Sequence, residues 1–186
     1  MIFAFDKLLL KKLSFASTIL TCLSLLATTV LGGERVGDFA LIDHTGAFQH
    51  MSWYNDQKAI VIVAHTPSVS ETNTLSKLQE LKSEFSKRDV TFFLINPGLE
   101  TDRSRVAADL QRRNLDFNVL MDDAQLVSEM LGLTSLGEAV VYDPSSFEIS
   151  YRGGVDLLES SVSRFLDGGA DDFVATATSG ETIAYN

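Results

Sequence analysis

The 186-residue chain is 45% apolar and 22% charged, with a net charge of −10 and a single cysteine. That composition suits one globular domain. Its acidic balance repels phosphate backbones and argues against nucleic acid as a partner, and one cysteine cannot build an internal disulfide framework. No P-loop, dinucleotide fingerprint, HExxH or zinc-cysteine pattern is present.

Lys7, Lys11 and Lys12 precede an uncharged run of 19 residues, Leu13 to Leu31. A basic segment followed by an apolar one has the form of an export signal, with Val30-Leu31-Gly32 as an approximate cleavage site. Left uncleaved, the run is long enough to cross a bilayer, although its serines and threonines suit a permanent anchor poorly. Cys22 follows Thr21 and is followed by more apolar sequence, which disfavours a lipid anchor there. The expectation is an exported protein, periplasmic or extracellular, that meets a membrane only through residues 13–31 if these are retained. Without residues 1–32 the charge is about −12 and no cysteine is left. The remaining domain of about 154 residues buries roughly 70% of its unfolded surface and needs no covalent staple.

Asp38–Asp43 and Ala47–Met51, joined by His44-Thr45-Gly46, predict a short hairpin, and Ser52–Asn55 one helical turn. The β-branched run Ala59–Ala64 predicts a central strand. It ends in the polar loop His65-Thr66-Pro67-Ser68-Val69-Ser70, and a helix follows from Glu71 to Lys87 with Leu75, Leu78, Leu81 and Phe85 on one face. Ser68 and Glu71 fit an S-x-x-E capping box. Val90–Asn96 is nearly all apolar, as in a strand covered on both faces. A helix then starts at Thr101 or Asp102, with Val106, Ala107 and Leu110 inward and Arg103, Arg105, Arg112 and Arg113 on a solvated face. Phe117–Met121 predicts a strand, and Asp122 caps a helix over Asp123–Leu131 that stops at Gly132. Ala139–Tyr142 and Phe147–Tyr151 form a second hairpin, Asp156–Leu166 a last helix, and Ala170–Asn186 an extended wrap or a loose end. Helices between hydrophobic strands imply a layered α/β sheet, made mixed by the closing hairpin. The domain spans residues 33–168 and the tail residues 169–186.

A strand, a tight loop and a helix N-terminus together favour negative charge, and a thiol enzyme places its reactive cysteine there. Here the loop holds serines. Ser68 as a helix cap is the simplest assignment, because a serine nucleophile needs an adjacent base and an oxyanion hole. His65 could supply the base and Glu71 a carboxylate, but the three are too close in sequence to be aimed at one another. His44, His50 and Met51 offer at most a weak metal site.

In order and spacing, several segments resemble the thioredoxin-fold redoxins, the peroxiredoxin-like and thiol–disulfide group. Val36–Gly46 (VGDFALIDHTG) is similar to their opening motif without its proline, and Lys58–His65 and Val90–Asn96 to their two central strands. Phe117–Asp122 (FNVLMD) is similar to the F-P-V-L-x-D segment, with Asn118 for the proline, and Tyr151–Asp156 (YRGGVD) to the Y-R-G-x-I-D ending. The resemblance covers about Gly37 to Asp156. It implies a thioredoxin-like fold: a central mixed β-sheet flanked by helices, with an N-terminal β-hairpin.

The same resemblance shows what is missing. The reactive cysteine would fall in Pro67–Ser70, at Ser68, and the second position of a CxxC at Glu71. Gly137 stands where the facing cis-proline would precede Glu138. Gly180-Glu181-Thr182-Ile183 resembles a Gly-Cys-x-Ile segment with Glu181 for a resolving cysteine. The degenerate site therefore comprises the loop His65, Thr66, Pro67, Ser68, Ser70 and Glu71, the facing residues Gly137 and Glu138, and the lost position Glu181. No catalytic residue is assigned, and no cofactor or metal is implied. The expected function is that of an exported redoxin-like domain without catalytic cysteines, acting as a binding or accessory module for a protein partner. The alternative is a thiol–disulfide or peroxide oxidoreductase that works through a partner or through other residues.

Overall fold

A computed structural model describes residues 33–68, 72–168 and 174–186. The expected export signal, Ser70 and Glu71, the second half of the Ser68–Glu71 capping box and the start of the tail lie outside these residues. In chain order the elements are β1 (Glu34–Arg35), β2 (Ala40–Asp43), β3 (Phe48–His50), β4 (Ala59–Ala64), α1 (Thr72–Phe85), β5 (Val90–Asn96), α2 (Arg103–Arg113), β6 (Asn118–Met121), α3 (Leu126–Met130), β7 (Glu138–Asp143), β8 (Glu148–Gly154), α4 (Leu158–Leu166) and β9 (Val174–Ala175). Short 3-10 turns occupy Met51–Tyr54, Ser86–Arg88 and Val155–Leu157.

The strands form one mixed sheet in the order β1-β8-β7-β4-β5-β6-β2-β3, with β9 added to β8. β4, β5 and β6 are parallel, and the pairs β4–β7, β7–β8, β6–β2 and β2–β3 are antiparallel. All six residues of β4 are buried, and the two-residue period of a strand divides them between two cores. Val61 and Val63 face Leu75, Leu78, Leu81 and Phe85 of α1, with Val106 and Leu110 of α2 and Leu158 and Val162 of α4. Ile60, Ile62 and Ala64 face Met51, Val127, Leu131 and the tail residue Ile183. The thioredoxin-like order read from the sequence, including the N-terminal hairpin β2–β3, is the order observed.

Three local features differ from expectation. The helix expected from Asp123 begins at Leu126, because Gln125 takes a left-handed conformation at φ 62°. The Asp122 carboxylate still caps it, from further back, by accepting the backbone N–H of Ser128 at 2.7 Å and of Val127 at 3.4 Å. The first helix stops at Phe85, two residues early, in a 3-10 turn closed by left-handed Asp89. Arg113 is not on a solvated face. It lies against buried Asp109, whose Oδ1 accepts from its Nε at 2.9 Å.

The tail is a wrap. Thr182 bridges Ser135, Leu136 donates its N–H to the Glu181 carbonyl at 2.8 Å, and Ile183 donates to the Thr134 carbonyl at 2.9 Å. Gln125 grips the chain end, donating to the Ala184 carbonyl at 2.9 Å and accepting from the Asn186 N–H at 3.1 Å. Gly180 passes so close to the Leu136 carbonyl that a Cβ there would collide with it.

Candidate functional site

His65 continues β4 by one residue, donating its N–H to the Ile95 carbonyl at 2.8 Å. It is in phase with Val61 and Val63, so its side chain turns inward to α2 rather than outward to the loop. There Nε2 lies 3.6 Å from Asp109 Oδ2, and both side chains are buried. Arg112 and Arg113, one turn further along α2, both donate to Asp109 Oδ1. Burial pushes the His65 imidazole below its usual range. The Asp109 charge opposes that shift and the Arg113 charge adds to it. The imidazole is thus held neutral in the interior.

The rest of the loop is more open. Thr66 is buried, Pro67 half-buried and Ser68 exposed. The Ser68 hydroxyl donates to Thr66 Oγ1 at the long distance of 3.5 Å. No hydrogen bond joins Ser68 to His65 among the described residues, so Ser68 has no general base there. A cavity of about 10 Å³ bounded by Val63, His65, Thr74, Leu78, Leu136 and Gly137 lies beneath. That is at or below the room one water needs.

The facing turn is rebuilt as well. Gly137 has φ 79° and donates its N–H to the Ala64 carbonyl at 2.8 Å. Proline, locked near −65° and lacking an N–H, fits neither feature. The Glu138 side chain is buried and turns back into its own loop, where Oε2 accepts from the N–H and hydroxyl of Thr134 and from the Ser135 N–H at 3.2 Å. Glu181 is exposed, and its carbonyl holds Leu136. The structure therefore brings His65, Leu136 and Gly137 together, with Glu181 hydrogen-bonded to Leu136. Ser70 and Glu71 lie outside the described residues.

His44 and His50 are in structural use. His44 Nδ1 accepts the Val119 N–H at 3.2 Å, and His50 lies 3.3 Å from Asp38 and hydrogen-bonds Ser52. Among the described residues no group of three His, Cys, Asp or Glu side chains is placed to hold a metal ion.

Sequence reading missed Asp109 and Arg113. The signal was present, since Val106, Asp109, Leu110 and Arg113 follow the i, i+3, i+4, i+7 pattern of one helix face.

No protein-family profile matches the sequence, and no curated protein matches it. Solved structures do. A hypothetical protein from Sinorhizobium meliloti 1021 has a TM-score of 0.70 and 17% identity over 86% of this chain and 97% of that one. Peroxidoxin BcpB of Mycobacterium tuberculosis has a TM-score of 0.57 and 18% identity over 73% of this chain and 94% of its own. A secreted disulfide oxidoreductase of Mycobacterium tuberculosis has a TM-score of 0.54 and 18% identity over 67% and 94% respectively. The fold is the thioredoxin-like fold of the redoxins. Among the described residues no helix is long and apolar enough to cross a membrane.

Proposed function

We propose that this thioredoxin-like domain is exported and non-catalytic, and that it acts by binding a protein partner. One observation carries the proposal: residues 33–186 contain no cysteine. Residues beside the positions where a thiol site would stand are used by the fold. His65 is committed to the interior beside Asp109, and Glu138 staples its own turn. The Leu136 N–H is taken by the tail. A serine at Ser68 is no substitute for a thiolate, because a helix dipole that lowers a thiol pKa into the neutral range leaves a hydroxyl far above it. The basic and apolar N-terminal segment, together with the secreted disulfide oxidoreductase of similar fold, supports export.

The test is turnover. Peroxide reduction and insulin-disulfide reduction by the purified protein should stay at background, before and after Cys22→Ser. Turnover well above background in Cys22→Ser overturns the proposal. The fold shared with disulfide oxidoreductases favours one other reading, an oxidoreductase working through residues of the His65–Glu71 loop or through a partner. In that case activity survives Cys22→Ser and is lost when the loop is replaced.

A further inference from the structure

The N-terminal hairpin lines up a hydroxyl, an imidazole and a carboxylate. Asp38 and His50 are 12 positions apart in sequence. The register of β2 on β3 pairs Ala40 with His50, and the Met51 N–H extends it to the Phe39 carbonyl, which sets Asp38 beside the His50 ring. Asp38 is fixed from behind, its Oδ1 accepting the Phe39 N–H at 2.9 Å. Its Oδ2 lies 3.3 Å from His50 Nε2. The other ring nitrogen, Nδ1, is 2.5 Å from Ser52 Oγ. A carboxylate beside Nε2 favours the proton on that nitrogen and leaves Nδ1 to accept the Ser52 O–H. This is the arrangement that activates a serine as a nucleophile. Ser52 thus has the base that Ser68 lacks, and the three side chains are only partly buried.

Two exposed rings flank the imidazole. Phe48 is 52% exposed and stacks on His50 with centroids 6.2 Å apart. Trp53 is 63% exposed and lies 5.9 Å from His50 and 5.5 Å from Phe48. They give a flat apolar group a surface to lie on within reach of Ser52. Asp38 in the site and a net charge of −10 on the chain disfavour an anionic reagent.

We propose that Ser52 is a reactive serine that takes the acyl group of an uncharged, activated ester of a flat apolar carboxylic acid. Ser52 Oγ attacks the carbonyl carbon as its proton passes to His50 Nδ1, and Asp38 offsets the charge of the imidazolium. The bond from that carbon to the leaving oxygen breaks, Nδ1 returns the proton to that oxygen, and the acyl group remains as an ester on Ser52. One ester bond forms as another breaks, and nothing is oxidised or reduced. Rapid hydrolysis would need aimed oxyanion donors, and the neighbouring Met51 N–H is already given to the Phe39 carbonyl. The site therefore suits a single transfer with the acyl group retained. It stands apart from the degenerate loop, and its chemistry is independent of the redox test above.

The probe is 4-nitrophenyl benzoate with the full-length protein. One equivalent of 4-nitrophenol should be released, one benzoyl group should appear in the intact mass, and peptide mapping should place it on Ser52 ahead of the exposed Ser145 and Ser160. Neutral hydroxylamine should remove it, as it removes an ester and leaves a lysine amide. His50→Gln should slow the labelling by about a hundredfold or more. Asp38→Asn should slow it by a smaller factor, and Asp38→Glu should recover part of the loss. Normalised to each ester's reaction with free imidazole, the benzoate should outpace 4-nitrophenyl acetate, and Trp53→Ala should erase that preference. Denaturant midpoints identify any variant that is simply unfolded, and the position of the label in the wild type needs no variant. The inference is overturned by a label confined to lysines or His50, by Ser52 labelled no faster than Ser145 and Ser160, or by folded His50→Gln reacting like the wild type. Release that continues beyond one equivalent overturns it in favour of a hydrolase.

Discussion

His65 Nε2 and Asp109 Oδ2 lie 3.6 Å apart inside the fold, each without a hydrogen bond among the described residues. The pair joins the end of β4 to the middle of α2 at the point where a redoxin begins its reactive loop. Asp109 Oδ1 is already satisfied by Arg112 and Arg113, so the carboxylate does not need a charged imidazole. A neutral His65 avoids placing a third cation in a buried site, where charges are costly.

Stability should therefore fall with acid. Burial lowers the folded-state pKa of both His65 and His44 below the ordinary 6.5. The unfolded chain binds protons that the folded chain refuses, so this contribution is complete above about pH 6.5 and is lost as the pH drops toward the folded values. Urea denaturation from about pH 7.5 to about pH 5.5 should show a falling midpoint, with a shallower fall in His65→Gln. An unchanged pH slope in the variant would exclude His65 as a source.

Removing the carboxylate should cost more than removing its exposed partner. Asp109→Asn removes a buried carboxylate that accepts from both Arg112 and Arg113 and is expected to destabilise by about 3 kcal/mol. Arg112 is 67% exposed, and Arg112→Ala should cost less than about 1 kcal/mol. Denaturant midpoints of the two variants test the ranking.

Restoring the proline of the resemblance should weaken the protein. At Gly137, φ 79° penalises any side chain. Gly137→Ala is expected to cost about 1–2 kcal/mol. Gly137→Pro should cost more, because it also deletes the bond to the Ala64 carbonyl. Thermal melts should rank wild type, alanine and proline in that order.

The tail should behave as part of the core. Ile183 is buried against the β4–β7 face of the sheet, and Ile183→Ala should cost about 2–4 kcal/mol. Gly180→Ala should act without removing any contact, by pushing the chain away from Leu136. Hydrogen exchange at the Leu136 and Ile183 amides should accelerate in both variants, and protection equal to wild type would show the tail to be dispensable.

Much of this architecture follows from local pattern. The two-residue period of Ala59–Ala64 makes it a strand covered on both faces, and the spacing of Leu75, Leu78, Leu81 and Phe85 lays the next helix against it. The turn at His44–Gly46 sets the first hairpin. The absence of cysteine from residues 33–186 is likewise a property of the sequence alone. The tertiary structure decided the rest. Asp109 and His65 are 44 positions apart, and only the packing of α2 on β4 makes partners of them. Read alone, the arginines of α2 look solvated, because periodicity shows which face a residue occupies but not whether a buried countercharge awaits it there. Gly137 is an ordinary small residue until the close of β4 against its turn demands a left-handed backbone and an N–H. Strand order, which no local pattern encodes, left Phe48–His50 at one edge of the sheet and laid the tail across Leu136.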